Sequence, residues 1–441
     1  MTRDMTTGRP SRLILSFFFP VLLGELLQQV YVLTDTAIVG RFVGVRAFAA
    51  ISSTGALSSL VVGFVIGLCY GLAVPIAQAF GAGDLPGMRR YFSGAVLLCA
   101  AITGLLTLLT VPLTPAILRL LGTPPELTAD ARIYIRILFG GMGATALYNL
   151  ASSALRAVGN TRAPLFFLVL SCVGNVLLDL LFVPVLQLGA AGAALATVCA
   201  QLIAGLLCAG VIVHRYDALR IHRGEWRPQK ARIRYLLAVA LPMGLESSLT
   251  AIGSVILQRA VNALGTVAVA AVAAGDRVMF ALSAPFGAIG ATLATYCGQN
   301  FGAGRMDRLR RGVRLSLAAL LVYCVAAFLM QRACGTALMR LFIDPGEGEI
   351  LSLAARYLHF ACLFFPGFLC IMALRNALLA MGRSRTAMLA GAFETAARLI
   401  VALLLIPAFG FAGACAGHPL AWVLGSAFLI PAYLHAVRDL A

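Results

Sequence analysis

Gln78-Ala79-Phe80-Gly81-Ala82-Gly83, followed by Arg89-Arg90, is written a second time as Gln299-Asn300-Phe301-Gly302-Ala303-Gly304, followed by Arg310-Arg311. The offset is 221 residues throughout. More pairs follow in the same order. Ala154–Arg162 (Ala-Leu-Arg-Ala-Val-Gly-Asn-Thr-Arg) matches Ala377–Arg385 (Ala-Leu-Leu-Ala-Met-Gly-Arg-Ser-Arg), and Pro184 matches Pro407. Gly189-x-x-Gly192-Ala193 matches Gly410-x-x-Gly413-Ala414, and Glu25 lies 221 residues before Glu246. Several matched features in one order point to a duplicated chain. The Phe-Gly-Ala-Gly elements read as tight turns that need φ > 0. They fit no phosphate loop, because neither Gly-x-Gly-x-x-Gly nor a Walker pattern is present.

The duplicated unit is apolar. Of 441 residues 61% are hydrophobic and 12% charged, and mean hydropathy is +0.94, which excludes a soluble protein. A membrane-spanning helix takes about 20 mostly apolar residues. The apolar runs give twelve: 13–37, 47–75, 92–112, 133–155, 163–186, 188–213, 235–258, 266–297, 315–338, 357–378, 387–407 and 411–437. Very short turns join the last two spans of each half, at Leu186–Gly189 and Ala408–Gly410. The expected fold is an all-α polytopic membrane protein, two pseudo-symmetric six-helix bundles at 1–220 and 221–441. The polar stretch His214–Arg234 links them. Six spans return the chain to its starting side, so the repeats run parallel, a transporter architecture that works by rocking one bundle against the other.

The net charge of +17 suggests nucleic acid, but its placement does not. Of the 34 basic residues, 22 lie at the termini or in alternate loops, including Arg89, Arg90, Arg156, Arg162, seven from Arg215 to Arg234, and five from Arg305 to Arg314. The positive-inside rule then places both termini in the cytoplasm, and the basic loops meet anionic lipid headgroups. No nucleic-acid partner is expected. The first apolar run is too long for a secretory h-region, so the first span stays. The eleven cysteines lie in apolar stretches without Cys-x-x-Cys or Cys/His clustering and read as small apolar residues.

A charge at the bilayer centre costs at least about 2.5–3.5 kcal/mol. Six of the seventeen acids fall in the predicted spans: Glu25, Asp35, Asp179, Glu246, Asp276 and Glu394. On the first span Gln28 and Asp35 fall nearly in register with Tyr31 beside them, flanked by Glu25 and Gln29. One face of that helix is therefore polar and suited to a cavity. Asn175 and Asp179 share a face of the fifth span, Pro184 then ends or kinks it, and Thr197 lies in the sixth. Two carboxylates brought together in such a place take a proton near neutral pH, or share sodium with amide and hydroxyl oxygens. The second half lacks this chemistry: Arg398 stands opposite Asn175 and Ala402 opposite Asp179. Glu394 and Arg398, four apart, are expected to form an intramembrane ion pair, structural or functional. Glu25 and Glu246 are candidates for a cation-attracting ring. Arg259, Asp276 and Arg277 read as interfacial, and His359, His418 and His435 as isolated histidines with local partners.

Taken together, Tyr31-x-x-x-Asp35, Val39-Gly40-Arg41, the two Gln-to-Gly elements, Leu155-Arg156-Ala157-x-Gly159-Asn160-x-Arg162, Asn175-x-x-x-Asp179 and Gly192-x-Ala194-x-Ala196-Thr197 resemble the multidrug and toxin extrusion (MATE) family. The bacterial branch with DNA-damage-inducible-F-like transporters is the nearest in pattern. The resemblance implies an antiporter that exports amphiphilic or cationic drugs or metabolites against protons or sodium ions. It assigns the cation site to Asp35, Asn175 and Asp179, with Tyr31, Thr197 and Tyr134 beside them. Glu25, Gln28, Gln29 and Glu246 are substrate-cavity candidates, and Glu246 stands where some relatives carry a seventh-helix glutamate. The tenth span has no acid, which argues against a second sodium site there. The resemblance further implies a monomer in a bacterial inner or plasma membrane, with membrane lipids around it and no cofactor beyond the coupling ion. Flippases of lipid-linked sugars are the alternative, disfavoured by the acidic intramembrane face. No His-Glu-x-x-His or Gly-x-Ser-x-Gly supports an enzyme.

Overall fold

A computed structural model of the chain describes residues 2–120, 123–340, 343 and 346–439; side chains of residues 36, 45–48 and 120 are left aside. Among these residues there are helices and turns and no strand. In chain order the helices are α1 Pro10–Phe42, α2 Val45–Ser53, α3 Gly55–Gly81, α4 Leu85–Leu120, α5 Pro125–Gly140, α6 Met142–Ala157, α7 Arg162–Leu180 and α8 Gly189–Arg215. Then come α9 Lys230–Asn262, α10 Thr266–Gly302, α11 Met306–Met339, α12 Gly348–Leu363, α13 Phe365–Ala380, α14 Ser384–Ile400, α15 Ile406–Phe409, α16 Phe411–Cys415 and α17 Gly417–Arg438. Ten of the described helices are long and apolar enough to cross a membrane, and the pair α12–α13, bent by 48°, makes eleven. The remaining predicted span, 133–155, falls on α5 and α6, each of 16 residues and too short to span alone.

The spans are longer and more broken than the apolar runs suggest. The helices continue past the hydrophobic stretches because their charged ends keep a helical backbone in water. Breaks at Thr54, Gly141, Phe364 and Ala416 divide four runs that read as continuous. Their local causes are visible in two cases. Gly140-Gly141 has no side chains to stiffen the helix. Pro366 cannot give an N–H to the preceding turn and is tolerated in the first turn of a new helix, where it sits.

Contacts divide the chain into two compact units, Met1–Thr7 with Leu23–Ser248, and Gly8–Leu22 with Leu249–Ala441. Each packs its helices in the same order. In the first, α3 meets α4 and α6, and α8 meets α6 and α7; in the second, α10 meets α11 and α13, and α17 meets α13 and α14. The duplication reaches backbone detail. Gly83 and Gly304, 221 apart, take φ of 74° and 69° at equivalent turns, which is why the repeated element keeps glycine there. One π-helical turn follows α7 at Leu181–Val185 and another follows α14 at Val401–Leu405.

Within the first unit α3 and α9 pack almost backbone to backbone. A Cβ on Gly71 would stand 2.6 Å from Ala240 Cα, and one on Gly67 2.6 Å from the Met243 carbonyl oxygen. Small residues let membrane helices approach this closely, where dispersion replaces the missing hydrophobic drive. The linker is tied down as well. Arg89 Nε donates to Glu225 Oε1 at 2.8 Å, the His222 N–H donates to Oε2 at 2.8 Å, and Arg232 donates to the Gly87 carbonyl at 2.8 Å. Burial works against the Glu225 carboxylate, but these N–H groups outweigh it and hold the carboxyl below its usual range. All eleven cysteines are free thiols.

Candidate functional site

The polar residues of α1, α5, α7 and α8 meet inside the first unit. Asp35 is half-buried on α1, whereas Asp179 and Asn175 on α7 are 0% and 1% exposed. The π turn that opens directly after α7 contains Pro184, so the proline perturbs the helix within a turn and a half of Asp179. Such turns widen a helix locally and free side chains for function. Val39, Val183 and Ala193 form a buried cluster there, with Tyr134 packed against it, which seats α1, the π turn, α8 and α5 on one another.

The Asp35 and Asp179 carboxyls face each other as an interacting side-chain pair. Oδ1 of each is buried without a hydrogen-bond partner. With its amide nitrogen turned to the carboxylate, Asn175 donates to Asp179 Oδ2 at 2.8 Å and accepts from the Thr197 backbone N–H at 3.1 Å. The Thr197 hydroxyl donates to the Ala193 carbonyl at 3.1 Å and is hydrogen-bonded to the Tyr31 side chain. Tyr134 borders both carboxylates. Two adjacent carboxylates in a low-dielectric site do not both stay charged unless a positive charge joins them. In that orientation the amide oxygen of Asn175 is engaged by Thr197 rather than by the pair. Such an arrangement can take up a proton or a cation between its two carboxyls.

The other polar residues of α1 lie apart from this pair. Gln28 is exposed, and Glu25 and Gln29 are half-buried. The opposite charge that acts on Glu25 is Arg156. Sequence reading placed Arg156 in a cytoplasmic loop as a topology signal; instead it occupies the last turn of α6, half-buried, with its guanidinium 5.6 Å from the Tyr70 ring centroid. It also donates to Ser153 Oγ at 3.0 Å. A short α6 that ends inside the fold, rather than a span that runs into the loop, turns the arginine inward. Glu246 is buried on α9, 6% exposed.

In the second unit Glu394 and Arg398 approach at 4.0 Å, and Arg375 of α13 comes closer, 3.4 Å from Glu394 Oε1. Arg375 carries no pattern that marks it in the sequence, since its partner lies 19 residues away on another helix. His418 has the partner expected of it. Its Nε2 lies 3.5 Å from Asp276 Oδ1, to which the Tyr357 hydroxyl also donates at 2.7 Å. His359 meets Gln331 at 3.2 Å.

A family model described as MatE matches residues 20–181 and 242–404, one stretch in each half. The chain belongs to the MatE family. It is a multi-pass membrane transporter and not an enzyme. Among its relatives is a probable multidrug resistance protein, YpnP, of Bacillus subtilis, 29% identical over 366 residues, 82% of this chain and 81% of the relative. An FAD transporter of Shewanella oneidensis is 25% identical over 77% of this chain and 76% of its own. The MatE fold recurs in the outward-facing conformation of a multidrug resistance MATE family transporter of the MOP superfamily. That structure superimposes with a TM-score of 0.90 at 19% identity, over 99% of this chain and 98% of the other. The two matched stretches begin at Pro20 and Pro242, inside α1 and α9, and include Asp35, Asn175, Asp179 and Glu246 but not the linker.

Proposed function

We propose that the chain is a secondary antiporter of the cell membrane that exports small amphiphilic or cationic molecules, drugs among them, and takes up a proton in exchange. The observation that carries this reading is the contact between Asp35 and Asp179, two carboxyls on separate helices with an unpartnered buried oxygen on each. The names of the relatives support the cargo class, and the positive-inside pattern supports cytoplasmic termini. The orientation of Asn175, whose oxygen is turned to Thr197 instead of the carboxyls, supports a proton rather than sodium; it leaves no amide oxygen to join the two carboxyls around a sodium ion. A proton arriving from outside joins the pair and removes its charge, which lets α1 repack and the cargo leave. Cargo binding from the cytoplasmic side or inner leaflet favours the deprotonated state. Exchange requires that each ligand prefer a different state, so that each weakens the binding of the other.

The test is purified protein in proteoliposomes loaded with a cationic dye. Dye transport is expected under an imposed pH gradient at constant sodium and absent under a sodium gradient at constant pH. Transport under sodium alone would overturn the proton reading, and no transport under either would overturn antiport.

Glu25 and Glu246 add a prediction about cargo. Two acids beyond the coupling pair raise the local concentration of cations. Glu25→Gln with Glu246→Gln is expected to raise the apparent KM for a cationic dye by about two- to tenfold, the worth of a partly screened charge, with little change for a neutral substrate. Equal effects on both cargoes would remove these glutamates from cation selection.

A further inference from the structure

The two residues that border the Asp35–Asp179 pair from α5 and α8 have repeat partners. Tyr134 corresponds to Tyr357 at an offset of 223, and Thr197 to His418 at 221. In the second unit these partners again meet a carboxylate, that of Asp276 on α10. The Tyr357 hydroxyl donates to Asp276 Oδ1 at 2.7 Å, and His418 Nε2 lies 3.5 Å from the same oxygen. The group lines a cavity of about 230 Å³ together with Ser254, Gln258 and Phe280. An apolar cluster of Leu257, Val261, Val272, Val401, Ile406 and Ala414 surrounds Tyr357. The acid comes from a different helix than in the first half, so sequence alignment of the halves does not reveal it.

We propose that His418 and Asp276 form a proton-binding site in the second half of the chain. Histidine is the side chain whose ordinary titration falls between about pH 5 and 8. Neutral His418 turns its Nε2–H to the carboxylate; a proton taken from water at Nδ1 makes the ring an imidazolium and the contact an ion pair. Among the described residues that line the cavity there is no other basic side chain. From α9 the group meets the uncharged Ser254 and Gln258, with Arg259 exposed beyond them. Arg277 on α10 and Arg356 on α12 are exposed. Arg398 of α14 acts on Tyr357, but it lies by Glu394 at 4.0 Å and donates to the Thr250 carbonyl at 3.2 Å. Cys415 of α16 is a buried thiol. The cavity lining thus carries one carboxylate and no cation while His418 is neutral, and an ion pair when it is protonated. Unlike the antiport reading, this site is independent of cargo and of any gradient.

The protein contains its own reporter. It has two tryptophans, Trp226 and Trp422, and His418 stacks on Trp422 with ring centroids 5.6 Å apart and planes at 29°. An imidazolium quenches a stacked indole more strongly than the neutral ring does. In the full-length Trp226→Phe protein, in detergent and without cargo, Trp422 emission is expected to fall in one step on acidification. His418→Gln in the same background abolishes the step. Asp276→Asn moves its midpoint to lower pH, because the charge opposite the imidazolium is gone. A flat emission profile in the Trp226→Phe protein, a step that survives His418→Gln, or a midpoint unmoved by Asp276→Asn would each overturn the proposal.

Discussion

Asp35→Asn is expected to leave an inserted, monodisperse protein that no longer drives export. The substitution keeps the size of the side chain and removes a charge that hydrocarbon penalises by at least about 2.5–3.5 kcal/mol, so folding gains rather than suffers. What is lost is the link between α1 and α7. With Asn at position 35, Asp179 has no second carboxyl to share a proton with, and its protonation no longer changes what α1 packs against. Coupling free energies between two ligands run to about 1–3 kcal/mol, or 5- to 150-fold. Dye efflux from cells and gradient-driven uptake in vesicles are therefore expected to fall by that order, to the background of vesicles without protein. Asp179→Asn should do the same, and the double variant no more than either, since the two act as one unit. Tyr134→Phe, which removes a hydroxyl beside the pair and not a carboxyl, should cost less. Undiminished export by Asp35→Asn at normal expression would remove the carboxyl pair from the coupling mechanism.

Why was this pair legible in the sequence when the second-half groups were not? Tyr31 and Asp35 are four residues apart on one helix, and so are Asn175 and Asp179. Helical geometry alone puts each set on one face, and the cost of an acid in hydrocarbon singles out the faces. The fold was legible for a related reason: repeated glycine turns and proline positions mark the same path twice. Arg375 with Glu394, and Asp276 with His418, join different helices at separations that no local period encodes. Arg156 misled because a basic residue beside a predicted loop has the same appearance whether it points to water or into the protein. The helix breaks at Thr54 and Ala416 were hidden for another reason: hydropathy reports burial in lipid, not whether the backbone hydrogen bonds run on without interruption.

Glu394→Ala is expected to have the largest effect on stability. Glu394 is 3% exposed and Arg398 4%, and Arg375 stands 3.4 Å from the glutamate on its other side. The packing makes room for this group. A Cβ on Gly425 would come 3.2 Å from Glu394 Cγ, and one on Gly253 3.3 Å from an Arg398 guanidinium nitrogen. Removing this acid takes away the carboxylate that both arginines approach. Breaking a buried ion pair on one side costs about 3–5 kcal/mol, enough to show as lost expression and a much lower melting temperature in detergent. The same principle separates glue from function. Replacing Arg375, Glu394 and Arg398 together by methionine removes all three desolvation penalties at once, and such replacements are often neutral or stabilising by about 1–4 kcal/mol. If the triple variant regains stability and still exports dye, the group holds α13 and α14 together and does nothing else. If it regains stability but export is lost, the charges take part in the transport cycle, and a membrane assay of the stable variant reads that directly.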